Sequence, residues 1–239
     1  MTDLLDTVLR KLDGGECPSP SRVALELMAL LERPNASVAE AATLVRLDSV
    51  LTAKILELAN SVLYRGSRPV LALPDAILRL GLRTLAHFVL GLSLTKTRSP
   101  IPGLDLSRYW ARALVRALFL EELVTRVGSW SKAEVFTLGL LGDVGYLLLF
   151  CAVPETMAEL VRCQTDPHDL SPAEQERLGI DHVELTALLL ERWGFPQLML
   201  RTVRSQLEAV PVEEDSRLGR LCHLLEAGRL FAELWDDTL

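Results

Sequence analysis

The sequence predicts an all-α protein, and its composition carries that prediction. Leucine is in large excess, with 52 leucines among 239 residues against 4 isoleucines and 19 valines. Because branching at Cβ restricts rotamers in a helical turn, this balance favours helices over strands. Aromatic residues make up only 5% of the chain, too few for a β-sandwich or barrel of this size. Hydrophobic residues make up 49%, which excludes a disordered chain.

Local signals delimit helices in the first 98 residues. Ser37 and Glu40 form a capping-box pattern three residues apart, and Asp48 is placed to cap the next helix. Pro74 suits the first turn of a helix, and Gly81 ends that helix. We predict helices over 4–12, 21–32, from Ser37, from Asp48 to Asn60, over 74–80 and over 82–95.

The clearest break in the chain is the segment 99–103, which holds two prolines and a glycine. We place a subdomain boundary there, so that an N-terminal helical layer, residues 1–98, packs on a C-terminal helical bundle, residues 104–239. In the bundle we predict helices over 106–127, 132–150, 154–163, 171–178, 181–193, 196–209 and 215–235.

The predicted helix 132–150 lies in the longest apolar region of the chain, Val135–Pro154. That region is interrupted by Asp143 and three glycines. A membrane span normally needs about 20 predominantly apolar residues without such a charge. We therefore expect a buried core helix and no membrane association. The N-terminus carries early acidic residues and no signal-peptide pattern, so the expected location is cytoplasmic.

Net charge and cysteine spacing argue against nucleic-acid binding and against a disulfide scaffold or a zinc site. The net charge is −7, which makes nucleic-acid binding unlikely because phosphate neutralisation needs a basic face. The cysteines are widely spaced, with no CxxC pair, and this scatter suits reduced thiols better than a disulfide scaffold or a zinc site. They are Cys17, Cys151, Cys163 and Cys222.

Two groups of motifs resemble the HDOD family, a bacterial branch of the HD-domain superfamily of metal-dependent phosphohydrolases. The first runs from Asp48 to an Asn60-Ser61 pair and continues through Tyr64 to a short helix that ends in Leu80-Gly81. The second comprises Leu138-Gly-Leu-Leu-Gly142-Asp143-Val-Gly145, Asp181-His182 and Trp193-Gly-Phe-Pro196. The motifs occur in the family's order, and the resemblance covers about residues 20–205.

The resemblance also implies an incomplete metal site. The His-Asp pair that names the superfamily corresponds here to Gly142-Asp143, and Arg112 aligns with a second, upstream histidine. His182 matches a downstream histidine, but the later paired histidines correspond to 204–206, Arg-Ser-Gln. A catalytic metal usually needs about three protein ligands. Asp143 and His182 alone do not supply them, so we expect no metal, no cofactor and no catalytic residue.

The resemblance therefore implies a noncatalytic bacterial signal-transduction module that acts through protein–protein or small-ligand binding. Its expected partners are an unidentified signalling protein and a nucleotide-like small ligand. The alternative is an atypical metal-dependent phosphohydrolase or phosphodiesterase of the HD superfamily. The candidate ligand- or partner-binding residues are Asn60, Ser61, Arg112, Asp143 and His182.

Each candidate also has a structural interpretation. Asp143 could be a remnant metal or ligand contact, or a carboxylate that caps a helix or pairs with an arginine such as Arg112. His182 follows a predicted N-cap, Asp181, and could be a satisfied core histidine or a ligand contact. Asn60 and Ser61 suit a helix end that joins the two subdomains, with a ligand or partner contact as the alternative.

Two spacing patterns add alternatives. Arg108, Arg112 and Arg116 step by four along one helix, as expected of a solvated charged face or of a phosphate-binding stripe. Three glycines also recur every three residues within the predicted helix 132–150, which indicates close approach of another helix or of a ligand. They are Gly139, Gly142 and Gly145.

Overall fold

The computed structural model of the protein describes residues 2–31, 33–62, 64, 66–94, 100–127, 130, 132–163, 170–206 and 217–236. Across these residues the secondary structure is helical, without a strand, so the predicted all-α class is confirmed. The described chain divides into two compact units, Pro20–Leu94 and a second unit that combines Met1–Ser19 with Thr95–Leu239. The predicted helix ends at 207–209 and 215–216 lie outside the described residues.

The unit Pro20–Leu94 contains five helices among its described residues. Ser37 forms the predicted capping box with Glu40, and the Asp48 side chain accepts from the Leu51 amide at 2.9 Å. Gly81, with φ 81°, separates the last two helices, which meet at an angle of 103°. α1 lies in the other unit. The helices of this unit are α2 (Arg22–Leu31), α3 (Val38–Val45), α4 (Ser49–Asn60), α5 (Leu73–Leu80) and α6 (Leu82–Leu94).

The second unit holds α1 and the helices from α7 onward. The long helix α7 packs against α8 and α14, whereas α9 packs against α1, α10 and α12. Leucines fill its core, among them Leu120, Leu147 and Leu148. Its helices are α1 (Thr2–Asp13), α7 (Leu106–Val127), α8 (Lys132–Leu141), α9 (Val144–Ala152), α10 (Pro154–Cys163), α11 (Leu170–Leu178), α12 (His182–Arg192), α13 (Gln197–Arg204) and α14 (Arg217–Asp236).

The predicted single helix 132–150 is wrong, because the chain breaks between α8 and α9. Gly142 and Asp143 form a turn, and Asp143 occupies the N-cap position of α9. Apolar residues continue through the break, so hydrophobic periodicity gives no sign of it. The break turns Asp143 from a mid-helix residue into a residue at a helix end, where a polar side chain is readily accommodated.

The first helix belongs to the second unit, which differs from the predicted division at residue 98. Lys11 Nζ donates to the carbonyls of Cys151 and Ala152, at 3.1 and 3.2 Å, at the C-terminal end of α9. Asp13 pairs with Arg192 on α12 at 3.0 Å. These partners are more than 130 residues away, and no local signal in the sequence identifies them.

The prediction of reduced thiols is wrong for two of the four cysteines. Cys17 and Cys151 form a disulfide, with their Cα atoms 5.8 Å apart and a separation of 134 positions in the sequence. Cys163 and Cys222 are free. A scattered pair such as this has no spacing signature, because folding alone brings the two residues together.

One stretch, Glu134–Ala152, is long and apolar enough to cross a membrane by length and composition, and 78% of it is buried inside the protein. The bent pair α5–α6 passes the same test only when taken as one span. Burial of this kind is typical of the core of a soluble protein, so the predicted burial of this stretch is confirmed, although it forms two helices and not the one predicted.

Candidate functional site

A cavity of about 580 Å³ opens in the second unit where α7, α9, α12 and α14 come together. Asp143 and Tyr146 line it from the start of α9, and His182 lines it from the start of α12. Three of the five sequence-predicted site residues, Arg112, Asp143 and His182, therefore share one cavity. Its polar wall also includes the charged residues Arg108, Arg116, Arg229 and Glu233 and the neutral Gln206.

The centre of the cavity is an ion pair between Arg116 and Asp143. Arg116 is only 3% exposed, and one of its guanidinium nitrogens donates to Asp143 Oδ2. Its Nε donates to the Gly139 carbonyl at 2.6 Å, which fixes the orientation of the guanidinium. Burial alone would raise the pKa of Asp143, but the charge of Arg116 and that of His182 outweigh it, so the pKa lies below its usual value. Asp143 is held as a carboxylate.

Arg116 thus takes the role that the sequence assigned to Arg112. Arg112 is exposed on the cavity wall, and its charge also acts to lower the pKa of Asp143, with a smaller effect than Arg116. The predicted solvated face of α7 is wrong at Arg116 and holds at Arg108 and Arg112, which are exposed. A four-residue step places these side chains on one helix face but does not reveal that α14 covers part of that face.

Gly142 lies beside this ion pair in the turn before α9. A Cβ built on Gly142 would lie 2.8 Å from the Leu138 carbonyl oxygen, so a side chain there would require a shift of the backbone. The same Cβ would lie 3.7 Å from Arg116 Nη2 and 3.6 Å from Leu225 Cδ1, which are ordinary van der Waals distances. The close backbone contact with Leu138 therefore favours glycine at position 142.

His182 is held by Glu174, a residue that the sequence gave no reason to select. Its Nδ1 lies 2.6 Å from Glu174 Oε2, and its backbone N–H donates to the same oxygen at 2.8 Å. Glu174 is fully buried, and its Oε1 accepts no hydrogen bond within the described chain. Burial acts to lower the pKa of His182, but the hydrogen bond and charge of Glu174 outweigh it and raise that pKa. The imidazole therefore keeps its proton to a higher pH than a free histidine does.

The predicted cap of α12 is confirmed, since the Asp181 side chain accepts from the Val183 and Glu184 amides at 2.9 and 2.8 Å. His182 is accordingly both the first residue of α12 and part of the cavity wall. Its ring lies edge-on to Tyr146, 6.1 Å between centroids. Burial raises the pKa of Tyr146 to about 12, so its hydroxyl stays neutral at physiological pH.

Close helix contacts explain two of the three spaced glycines. A Cβ on Gly145 would clash with the His182 carbonyl oxygen and lie 2.8 Å from the Thr186 amide nitrogen. The Gly145 amide donates instead to Thr186 Oγ1 at 2.8 Å, which binds α9 to α12. A Cβ on Gly139 would lie 2.6 Å from the Cα of Ala117 on α7. Close approach of another helix, the first of the two predicted alternatives, is confirmed at Gly139 and Gly145.

Asn60 and Ser61 lie in the unit Pro20–Leu94 and are not part of this cavity. The Asn60 amide nitrogen donates to the Leu56 and Val70 carbonyls, at 2.9 and 2.8 Å, and its oxygen accepts from the Val70 amide at 2.9 Å. Arg79 on α5 donates to the same oxygen at 3.4 Å. These bonds connect the end of α4 to the segment before α5, so the partners of Asn60 described here lie within one unit and not, as predicted, between the two subdomains.

The residues around Asp143 do not fit the divalent metal that the fold implies. The Asp143 carboxylate is paired with a guanidinium, which has no lone pair to donate. His182 directs Nδ1 at Glu174, and position 142 has no side chain. Gln206, at one of the positions where the resemblance implies histidine, donates to the Gly142 carbonyl at 3.4 Å. Within the described ranges, no three His, Cys, Asp or Glu side chains are grouped to bind a metal.

Comparison with known proteins points to the same family as the sequence motifs. The sequence profile described as HDOD domain matches residues 17–209. An HDOD domain protein of unknown function from Geobacter sulfurreducens is 25% identical, with a TM-score of 0.73, and the match covers 98% of this chain and 78% of that one. A protein from Shewanella amazonensis SB2B, whose name suggests a phosphohydrolase, is 28% identical, with a TM-score of 0.75 and coverage of 97% and 81%.

Two further relatives complete the comparison. The MmoQ response regulator of Methylococcus capsulatus str. Bath is 34% identical, with a TM-score of 0.55 and coverage of 90% of this chain and 85% of that one. An uncharacterized protein of Treponema pallidum (strain Nichols) is 24% identical over 208 residues. That match covers 85% of this chain, which spans 39% of the length of that curated relative.

Proposed function

The chain belongs to the HDOD family, and on that premise we propose that it is a noncatalytic bacterial signal-transduction module. It acts by binding a small anionic, nucleotide-like ligand in the cavity around Asp143, and it transmits that binding to a signalling protein. The response-regulator name of one relative supports a signalling role, and the phosphohydrolase name of another supports the alternative of catalysis.

The buried ion pair between Arg116 and Asp143 carries the noncatalytic part of the proposal. A metal could use the Asp143 carboxylate only if the guanidinium were displaced. Leaving one member of a buried ion pair unpaired costs about 3–5 kcal/mol. Arg116 is also held by the Gly139 carbonyl at 2.6 Å, so displacement would break a second bond. The guanidinium therefore competes with any divalent cation for the same carboxylate.

The size and charge of the cavity support the ligand-binding part. Its volume of about 580 Å³ lies within the range of about 300–1,000 Å³ that is common for small-molecule sites. Arg108 and Arg112 line its wall as exposed residues, and a guanidinium offers the paired donors that match phosphate oxygens. Tyr146 adds a neutral aromatic surface beside them.

The noncatalytic part is tested by metal analysis and turnover together. We expect purified protein to hold much less than one equivalent of Mn, Fe or Mg and to hydrolyse neither cyclic dinucleotides nor generic phosphoesters. Stoichiometric metal, with turnover that is lost in Asp143→Asn but kept in Glu155→Gln, would establish the phosphohydrolase alternative. Glu155 is an exposed carboxylate on α10 and serves as the matched control.

The ligand-binding part is tested by calorimetry with inorganic phosphate, AMP and a cyclic dinucleotide. We expect one of these probes to bind, and Arg112→Ala to weaken its binding by about tenfold or more, as for loss of a charge-assisted contact of about 1.5–3 kcal/mol. Arg201→Ala, an exposed arginine on α13 outside the cavity, should leave binding unchanged. Equal effects of the two substitutions would contradict a specific site.

We also propose a cytoplasmic location. The apolar stretch Glu134–Ala152 is mostly buried inside the protein, as in the core of a soluble protein, and this supports the proposal. In that compartment protein disulfides are usually transient, catalytic or redox-sensing rather than permanent. A permanent structural disulfide between Cys17 and Cys151 would therefore be unusual in that compartment.

A further inference from the structure

We propose that Cys17 and Cys151 form a reversible thiol–disulfide site, and that its oxidation state sets how firmly the N-terminal segment, residues 2–17, is held on α9. The site takes a low-molecular-weight thiol and disulfide couple, of which glutathione is the probe. The inference rests on the proposed function only through the cytoplasmic location.

The two cysteines are placed for exchange with such a small molecule. Their Cα atoms are 5.8 Å apart, within the range that a disulfide bridges without backbone movement. Cys17 is 4% exposed, whereas Cys151 in the last turn of α9 is half-buried and more accessible. Attack from solvent therefore begins at Cys151, and Cys17 is the shielded partner that completes the exchange.

The noncovalent contacts of the segment hold the two cysteines near each other without the covalent bond. Val8 and Leu12 are buried at 0% and 6% exposure. Lys11 caps the end of α9 through the Cys151 and Ala152 carbonyls, which have no partner within a helix that ends there. Reduction therefore leaves a segment that still docks, and reoxidation finds the two thiols already close.

Those remaining contacts are weaker than the bond that they accompany. The ion pair between Asp13 and Arg192 joins side chains that are 67% and 46% exposed, and such surface pairs contribute little. Apart from the disulfide, the segment is joined to α9 covalently only through the chain itself. Loss of the disulfide should therefore increase the opening of residues 2–17 and leave the remainder of the unit folded.

The exchange balances as a two-electron oxidation of the protein. The Cys151 thiolate attacks one sulfur of glutathione disulfide, forms a mixed disulfide and releases one glutathione thiolate. The Cys17 thiolate then attacks the Cys151 sulfur, closes the protein disulfide and releases the second glutathione. The two protons that leave the protein thiols end on the two glutathione molecules, which have gained the two electrons.

The position of the site connects it to the cavity through a single helix. Cys151 lies in the last turn of α9, and α9 begins directly after Asp143. At about 1.5 Å per residue, nine residues place the two ends of the helix about 13 Å apart. The disulfide thus holds the far end of the same helix that presents Asp143 and Tyr146 to the cavity.

The first test titrates the full chain in buffers of reduced and oxidised glutathione, followed by alkylation and peptide mass spectrometry. We expect one linked pair of peptides, Cys17 with Cys151, which forms and disappears reversibly across the series, while Cys163 and Cys222 form no link to another cysteine of the protein. A link that never forms would overturn the proposal. So would a link that persists in the most reducing buffer, because it would be a permanent structural disulfide.

The second test measures amide hydrogen exchange in the oxidised and reduced protein. Reduction should speed exchange in residues 2–17 by about tenfold or more, with a smaller increase in 144–152. Cys163→Ser, an exposed free cysteine, should keep this response, and Cys17→Ser should abolish it. Reduced wild-type protein gives the same comparison if Cys17→Ser does not fold. Equal exchange in the two states would refute control of the segment, and because no ligand is used, neither result bears on ligand binding.

Discussion

Two regions that carry the family's motifs use their polar residues in opposite ways. In the unit Pro20–Leu94, the side-chain amide of Asn60 forms hydrogen bonds with backbone groups of Leu56 and Val70, at 2.8–2.9 Å. In the second unit, Asp143 and His182 are paired with Arg116 and Glu174 and still face a cavity of about 580 Å³. One motif fixes a turn between helices, and the other furnishes the wall of a candidate binding site.

The difference is one of charge as well as geometry. A neutral amide that satisfies backbone groups contributes about 1 kcal/mol per hydrogen bond and needs no counter-ion. Arg116 is buried and its charge requires a partner, so it is inseparable from the half-buried Asp143 in a way that Asn60 is not inseparable from any one residue. Substitutions should therefore have larger and more strongly coupled effects around the cavity than at the Asn60 turn.

The largest expected effect is that of Asp143→Ala, which leaves Arg116 buried without its carboxylate. We expect a loss of about 3–5 kcal/mol in the free energy of unfolding of the second unit. All four tryptophans lie in residues 95–239, so urea unfolding followed by tryptophan fluorescence reports on that unit. The double substitution Asp143→Ala with Arg116→Met removes both charges and should recover much of the loss. Additive losses would contradict the coupling.

At the Asn60 turn, Asn60→Ala should cost about 2–3 kcal/mol, because it leaves Val70 backbone groups unsatisfied and removes a bond to Leu56. Hydrogen exchange of the amides in α4 and α5 measures this loss, since the unit has no tryptophan. Ser61→Ala is the matched control next to it. The buried Ser61 hydroxyl has no hydrogen-bond partner within the described chain, so its removal should be neutral or slightly stabilising. Equal losses of stability in Asn60→Ala and Ser61→Ala would contradict the stabilising role given to the Asn60 hydrogen bonds.

The smallest expected effect is a difference between the two regions in how the unfolding free energy depends on pH. Because the pKa of His182 is raised in the folded protein, its pairing with Glu174 stabilises the fold fully below the unfolded pKa of about 6.5. That contribution is lost as the pH rises through the folded pKa. The difference in unfolding free energy between the wild type and His182→Gln should therefore be largest at acid pH and shrink toward alkaline pH, whereas that for Asn60→Ala should not change. A difference for His182→Gln that is independent of pH would argue against a charged imidazole.

Much of the candidate site could be read from the sequence, but its pairings could not. Asp143 and His182 follow from the order of the motifs, and the N-cap role of Asp181 follows from its position before an apolar run. Arg116 was placed on a solvated face, and Glu174 was not selected at all. Each lies on a different helix from its partner, 27 residues from Asp143 and 8 from His182, so no spacing rule within a single helix relates them.

The sequence by itself determined the helical class and the HDOD family, because composition and the order of motifs require no knowledge of packing. It also determined most helix bounds and the caps at Ser37, Asp48 and Asp181, because these depend on residues within a few positions of one another. The tertiary structure alone decided the break at Gly142-Asp143, the choice of Arg116 over Arg112 and the disulfide between Cys17 and Cys151. These features depend on which buried group needs a partner once the helices have packed. The excess of leucine that predicts the helices does not predict these pairings, since apolar burial is non-directional and does not specify individual pairs.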